Sequence, residues 1–295
     1  MSKDNRVAIV TGAAAGLGRA EAIGLAADGT TVVVNDIAAA LDASDVIAEI
    51  EKAGGTAVAV AGDISERSTA DALITEATER HGGLDAVVNN AGIVRDRMLF
   101  NMSDEEWDAV IRVHLRGHFL LTRNAGAFWR ASAKESGVPA EGRIVNTSSE
   151  AGLVGPEGQP NYGAAKAGIT ALTLSASRAY ARFGVTANAI CPRARTDMTA
   201  GVFGDAPDAG VDPLAPEHVV SLVRYLASDA SAGVSGQVFV VYGPQVTLMA
   251  APTVAARFDA EGDAFDPSEL ADTLSNYFAT RESAGTFSAG AALGM

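Results

Sequence analysis

Thr11-Gly12-Ala13-Ala14-Ala15-Gly16-Leu17-Gly18 stands between the apolar run Val7–Val10 and the Ala-rich amphipathic stretch Leu17–Ala27. That order reads as strand, glycine-rich turn, helix. Glycines let the backbone turn tightly and bring N–H groups and a helix N-terminus up to a pyrophosphate. The spacing is Gly-x₃-Gly-x-Gly rather than the Gly-x-Gly-x₂-Gly of many nucleotide-binding turns. Gly12, Gly16, Leu17 and Gly18 are therefore candidate phosphate contacts.

The same alternation continues outward. Further short Val/Ile-rich runs fall at Thr31–Asn35, Ala57–Val60, Ala86–Asn89, Arg143–Thr147, Thr186–Ile190 and Val238–Val241. Helical patterns occupy Ser44–Ala53, Ser68–Arg80, Asp104–Ala131, Asn161–Phe183 and Pro216–Ala227. Strands that alternate with helices and are apolar throughout predict an α/β fold, a doubly wound parallel sheet of seven strands covered on both faces. Ser103 and Glu106 predict a capping box. Two long connections, 132–142 and 192–215, interrupt the pattern. The second follows a strand end, where open α/β sheets place ligands, and is a candidate lid.

The alternation stops near Gly243, which divides the chain into a domain of residues 1–243 and an extension of residues 244–295. Asp266-Pro267-Ser268-Glu269 predicts a helix start there, followed by an apolar stripe of Leu270, Leu274, Tyr277 and Phe278. A lone helix of that length is unstable in water, so it is expected to dock on the core or a neighbouring subunit. The last dozen residues, from Ala284, are expected to be flexible.

The 295 residues include 36 acidic and 22 basic side chains, a net charge of −14. That balance argues against nucleic acid or an anionic lipid surface as partner. No apolar run approaches the roughly 20 residues that span a bilayer, the N-terminus lacks a signal-peptide pattern, and Cys191 is the single cysteine. These features predict a cytoplasmic protein. His114 and His118 have helical spacing but no third ligand at a matching offset, so no metal is expected.

The second run ends at Asn35-Asp36, eighteen residues beyond Gly18. A carboxylate there accepts hydrogen bonds from both adenosine ribose hydroxyls and repels a 2′-phosphate, which points to NAD rather than NADP. Asp63, beside Ile64 after the third run, is in position for the adenine amino group. Asn89-Asn90-Ala91-Gly92 ends the fourth and brings backbone amides close to the nucleotide. Tyr162 and Lys166 stand four apart on one helix face. A free phenol titrates near pH 10 and is a poor base; a neighbouring ammonium is expected to stabilise its anion and lower that value. Ser149, at the preceding strand end, is a candidate to bond a carbonyl or alcohol oxygen.

Taken in order, these motifs resemble the short-chain dehydrogenase/reductase family across roughly residues 6–243. The resemblance implies a Rossmann-type sheet, with Tyr162 as general acid/base and Ser149 orienting the reacting oxygen. Lys166 would also hold the nicotinamide ribose, Pro192 and Thr196 would lie on the nicotinamide side, and the assembly would be a homodimer or homotetramer. Two positions depart from the family pattern. His114 stands where an Asn commonly anchors a relay water, and Arg193 replaces the Gly of the usual Pro-Gly. Val33-Val34-Asn35-Asp36, Asn89 to Met98 and Arg112 to Gly117 are most similar to the (3R)-hydroxyacyl-CoA dehydrogenase domains of type 2 multifunctional enzymes, a branch that carries His at the same place.

The activity implied is NAD-dependent oxidation of a secondary alcohol, a (3R)-3-hydroxyacyl-CoA in the first instance. A hydroxysteroid, an acyl-carrier-protein-linked substrate and an idle NAD-binding scaffold stay open. Arg95, Arg97, Arg116, Arg193 and Arg195 are candidate contacts for acyl-CoA phosphates or members of ion pairs. Leu153, Val154, Met198, Val202 and Phe203 are candidates for an apolar substrate wall.

Overall fold

The structure, a computed structural model, describes residues 5–199, 203–207 and 209–280. Strands β1 (Val7–Thr11), β2 (Thr31–Asp36), β3 (Thr56–Ala61), β4 (Ala86–Asn89), β5 (Arg143–Thr147), β6 (Thr186–Pro192) and β7 (Val238–Tyr242) pair in parallel. An eighth, β8 (Gln245–Leu248), joins β7 antiparallel. The order is 3-2-1-4-5-6-7-8, so the chain reverses its winding between β1 and β4, and a crevice opens at their carboxyl ends.

The eighth strand corrects the expectation of seven. It is short and alternates polar with apolar residues. Gly243 (φ +54) takes the first of two hairpin-loop positions before it, where positive φ suits the strand twist. The sheet therefore runs past Gly243 to Leu248.

Successive residues of each strand feed opposite faces. Ala8, Val10, Val32, Val34 and Ile190 pack with Leu25 of α1 (Gly16–Ala27) and with Val46 and Ile50 on one side. Val7, Ile9, Val33, Ile144 and Ala187 pack with Leu121 and Trp129 on the other. Burial of alternate residues on both faces is why the strands read as continuous apolar runs.

The helices depart from expectation where local pattern and tertiary packing disagree. A short helix not expected from the sequence, α2 (Ala38–Asp42), precedes α3 (Val46–Lys52), which fills most of the stretch expected as a helix over Ser44–Ala53. α4 (Arg67–Thr75) widens into a π-turn over Glu76–Arg80. The stretch expected as one helix from Asp104 to Ala131 comprises α5 (Asp104–Ile111), a π-turn over Arg112–Arg116, and α6 (Gly117–Ser136). Ser103 and Glu106 form the expected capping box. α6 ends at Gly137 in a left-handed cap, so the connection to β5 begins at Gly137 rather than at residue 132. After β5 come α7 (Ala151–Val154), α8 (Pro160–Tyr180) and α9 (Pro216–Ala227).

The chain forms two compact units, one ending at Leu248 and one beginning at Met249. In the second, α10 (Pro267–Thr280) starts as its sequence predicts, with the Asp266 carboxylate accepting the Ser268 N–H at 2.9 Å. Tyr277 meets Phe258 edge-on at 5.0 Å, while Phe278 is exposed. The segment from Ala284 lies outside the described residues. Among the described residues no helix is long and apolar enough to cross a membrane.

Candidate active site

The loops after β1 and β4 are sewn together at the winding reversal. Thr11 Oγ1 accepts the N–H groups of Asn90 and Ala91 at 3.1 and 3.2 Å. Asn90 Nδ2 donates back to the carbonyls of Thr11 and Gly12. Gly12 (φ +66) has no room for a side chain, because a Cβ there would lie 2.7 Å from Ala91 Cα. These loops wall one end of a cavity of about 410 Å³.

Ala15, Gly16 and Leu17 line that end. α1 starts there with no side-chain cap, so its first N–H groups present positive dipole ends to whatever enters. Gly18, expected among the cofactor contacts, is not at the cavity surface. A Cβ there would fall 2.3 Å from the Gly12 carbonyl oxygen, so its glycine serves close packing of helix under loop.

Asp36, Asp63 and Ile64 line the next stretch. The Asp36 carboxylate accepts the N–H groups of Ala14 (3.1 Å) and Ile37 (2.9 Å), which fixes its orientation. Asp63 accepts from Ser65 N at 2.8 Å and lies 3.9 Å from the Arg112 guanidinium.

At the far end α8 brings Tyr162 and Lys166 to the same cavity, with Asn90, Ala91, Gly92, His114, Pro192 and Thr196 around it. Lys166 is 2% exposed and donates from Nζ to the Thr147 carbonyl at 2.6 Å. Its ammonium is 5.3 Å from the Tyr162 ring centroid. The Ser149 hydroxyl accepts the Ala151 N–H at 3.1 Å and is close enough to the Tyr162 phenol to favour its anion. Ser148, the neighbour that lines the cavity, has its hydroxyl tied to Lys166 O and Thr170 Oγ1.

Burial dominates the electrostatics. It pulls Lys166 down to about 7 and pushes the Tyr162 phenol above its ordinary value, with Ser149 acting the other way. The expected lowering of the phenol by the lysine ammonium is thus reversed in this enclosure: desolvation disfavours both charged forms at once. His114 is held well below the ordinary imidazole value by burial and by Lys166, and is neutral. Its Nε2 faces the backbone of Ile93, 2.7 Å from O and 3.0 Å from N.

Four features were not anticipated from sequence. Asn161, fully buried, donates to the carbonyls of Arg95 (3.0 Å) and Glu106 (3.1 Å) and accepts the Tyr162 N–H at 2.7 Å, pinning the start of α8. An amide beside Pro160 in a first helical turn is the signal that marks it. Glu150, next to Ser149, holds Arg193 at 2.6 and 3.0 Å. Ser148 supplies cavity surface. His118 is buried close to His114 and Lys166.

The proposed phosphate-binding arginines are mostly engaged elsewhere. Arg193 pairs with Glu150, Arg195 with Asp212 at 3.0 Å, and Arg97 with Glu106 at 2.9 Å. Arg116 donates to Ser65 O at 2.9 Å, and among the described residues no arginine lines the cavity. Met198 and Thr199, in the connection after β6, do line it. Leu153 and Val154 lie on α7 and do not, Phe203 offers its carbonyl to Arg195 at 3.1 Å, and Val202 lies outside the described residues.

The chain has close sequence relatives among known proteins. The chain is 69% identical over 292 residues to hydroxyacyl-CoA dehydrogenase ChsB1 of Mycobacterium tuberculosis, covering 96% of this chain and 92% of that one. It is 40% identical over 235 residues to peroxisomal multifunctional enzyme type 2 of Mus musculus, covering 77% of this chain and 30% of that much longer protein. A crystal structure of a short chain dehydrogenase from Mycobacterium avium superposes with a TM-score of 0.85 at 46% identity, covering 96% of this chain and 98% of that one. The pattern of the short chain dehydrogenase family matches residues 6–206, and with the strand-end cavity and its Tyr162–Lys166 pair this makes the chain a member of that family.

Proposed function

We propose that the protein oxidises (3R)-3-hydroxyacyl-CoA thioesters to 3-oxoacyl-CoA with NAD. The observation that carries this is the pairing of Tyr162 and Lys166 at one end of a cavity whose other end presents the Asp36 carboxylate, with Ser149 beside the phenol though not itself on the cavity wall. The acyl-CoA class is supported by the names of two relatives, the hydroxyacyl-CoA dehydrogenase and the multifunctional enzyme.

The chain's own groups suit a dinucleotide. The uncapped start of α1 and the crowded glycine at position 12 suit a pyrophosphate. An oriented carboxylate at position 36 suits ribose hydroxyls and disfavours a 2′-phosphate, which supports NAD over NADP. When bound, NAD supplies the acceptor for the hydride leaving the carbinol carbon and a cationic ring whose charge favours the phenolate.

Tyr162 then removes the hydroxyl proton as the carbon–oxygen double bond forms. Ser149 holds the same oxygen while charge develops on it. Lys166, in its charged form, offsets part of the burial penalty on the phenolate, and Asn161 keeps the start of the helix in register with the loop at Arg95. His114, neutral and edge-on to Tyr162, takes the place of a relay group. Assembly as a homodimer or homotetramer belongs to this reading, supported by Leu99 (67% exposed) and Phe100 (80%), two adjacent large apolar side chains left in water.

The experiment compares kcat/KM for (3R)- and (3S)-3-hydroxyacyl-CoA, a 17β-hydroxysteroid and an acyl-carrier-protein substrate, each with NAD and with NADP. Highest kcat/KM with the (3R)-thioester and NAD supports the proposal. A preference for the steroid or for NADP contradicts it.

A further inference from the structure

Where the chain leaves β6, alternate residues face opposite ways. Pro192, Ala194, Thr196 and Met198 line the cavity. Arg193 and Arg195, the residues between them, do not line it and are held by carboxylates, Glu150 and Asp212. An extended backbone, with its period of two, produces that alternation. The first pair joins the ends of neighbouring strands. The second reaches 17 residues along the chain, to the far stem of the same connection.

Arg195 gathers that connection onto itself. Its Nε donates to Asp212 Oδ2 at 3.0 Å and its Nη2 to Oδ1 at 3.4 Å, a forked pairing that suits a planar guanidinium and not an ammonium. Nη1 donates to the carbonyl of Phe203 at 3.1 Å and to that of Gly204. The Arg195 N–H donates to the Leu214 carbonyl at 2.7 Å. Asp212 is itself fixed, because Oδ1 also accepts the N–H of Leu214 at 2.9 Å, and Leu214 is buried. On the cavity side, Thr199 Oγ1 donates to the Ala194 carbonyl at 2.8 Å and accepts the Thr196 N–H at 2.9 Å, which makes residues 194–199 one tight turn. An ion pair free in water contributes little. This one is only 21% and 18% exposed and ties the two stems of one connection together.

We propose that Arg195 is a positioning residue: held by Asp212 and by the carbonyls of Phe203 and Gly204, it fixes Ala194, Thr196 and Met198 as a ready-made wall for the nicotinamide end of the cofactor. That the nicotinamide occupies this end of the cavity rests on the function proposed above. A wall already in place spares the ligand the cost of ordering backbone and side chains on binding. Asp36 and Asp63 line the other end, so the adenosine half of the cofactor does not depend on this clasp. Movement of Arg195 away from Asp212 is movement of the wall, because the same residue carries both.

The test measures binding of NAD and of ADP-ribose, which keeps the adenosine and pyrophosphate but lacks the nicotinamide ring, by titration calorimetry on the full protein. In Arg195→Ala, NAD is expected to bind about tenfold more weakly, with ADP-ribose within about twofold of wild type. Asp212→Asn keeps the shape of its side chain and is expected to shift NAD in the same direction; it carries the test if Arg195→Ala folds poorly. The double variant is expected to bind NAD no more weakly than Arg195→Ala alone. Wild-type affinity for NAD in both single variants overturns the proposal. Equal weakening of NAD and ADP-ribose overturns it too, since that reports a general loss of structure, and so do fully additive losses in the double variant. If the wild type binds NAD but oxidises no secondary alcohol, the proposed activity fails while these constants still decide the role of Arg195. A wild type that does not bind NAD contradicts both.

Discussion

The imidazole of His114 meets the phenol ring of Tyr162 edge-on, with centroids 5.2 Å apart and planes at 86°. Its seat is made by an absence: a Cβ at Gly92 would lie 2.2 Å from His114 Cε1. Strand end, π-turn and reacting phenol are thereby locked together. Displacement of a reacting group by about 1 Å costs on the order of 10²-fold in rate. Gly92→Ala is therefore expected to lower kcat by roughly that factor and to lower the thermal midpoint as well. Wild-type kcat in this variant would show that the seat does not matter.

Asp36 is oriented by two backbone N–H groups and faces the cavity. Charge-assisted hydrogen bonds contribute about 1.5–3 kcal/mol, equivalent to roughly 10–100-fold in binding. Asp36→Ala is expected to raise KM for NAD by about that much and to lower KM for NADP. Kinetics with both cofactors check it, and an unchanged ratio of the two KM values goes against a discriminating role.

Glu21 is fully buried on α1, and neither of its carboxylate oxygens has a partner. Burial raises its carboxyl from 4.5 to about 8. A raised folded value means that its neutral form costs nothing below about pH 4.5, and that stability is lost progressively as pH rises from there through 8. At pH 7 the loss is of the order of 3 kcal/mol. Glu21→Met is expected to raise denaturation midpoints at pH 7 and to flatten the fall between pH 5 and 8. A variant less stable than wild type at pH 7 would mean that the carboxyl has a stabilising partner.

The Glu150–Arg193 pair, with side chains 14% and 20% exposed, ties the residue after Ser149 to the end of β6. Contacting charged groups that are partly desolvated couple by about 0.5–3 kcal/mol in double-mutant cycles. Glu150→Leu and Arg193→Leu are each expected to lower kcat and stability, with the double variant better than the sum of the two losses. Strict additivity in urea denaturation would show that the pair does not act as a unit.

Several elements are readable from the chain alone because local and global demands coincide. β4, β5 and α9 begin and end where their apolar runs do. Tyr162 and Lys166 share a face by helical spacing alone. β8 is hidden because four residues of mixed polarity carry little signal without a neighbour to pair with. The π-turn at Arg112–Arg116 is hidden because the apolar rhythm runs through it unbroken. Contacts such as Glu150 with Arg193, 43 residues apart, leave no trace in local pattern. The phenol titrates in the direction opposite to the expected one for a related reason: burial depends on the whole fold, and here it outweighs the pairwise attraction that spacing reveals.

The most direct test follows NADH formation from a (3R)-3-hydroxyacyl-CoA and NAD by absorbance, in wild type and Tyr162→Phe, with NAD binding measured separately by fluorescence titration. General acid/base groups contribute about 10²–10⁴-fold. Loss of at least two orders of magnitude in kcat, with NAD affinity within about threefold of wild type, is expected. Equal turnover in the two proteins would contradict the assignment of Tyr162 as the proton acceptor.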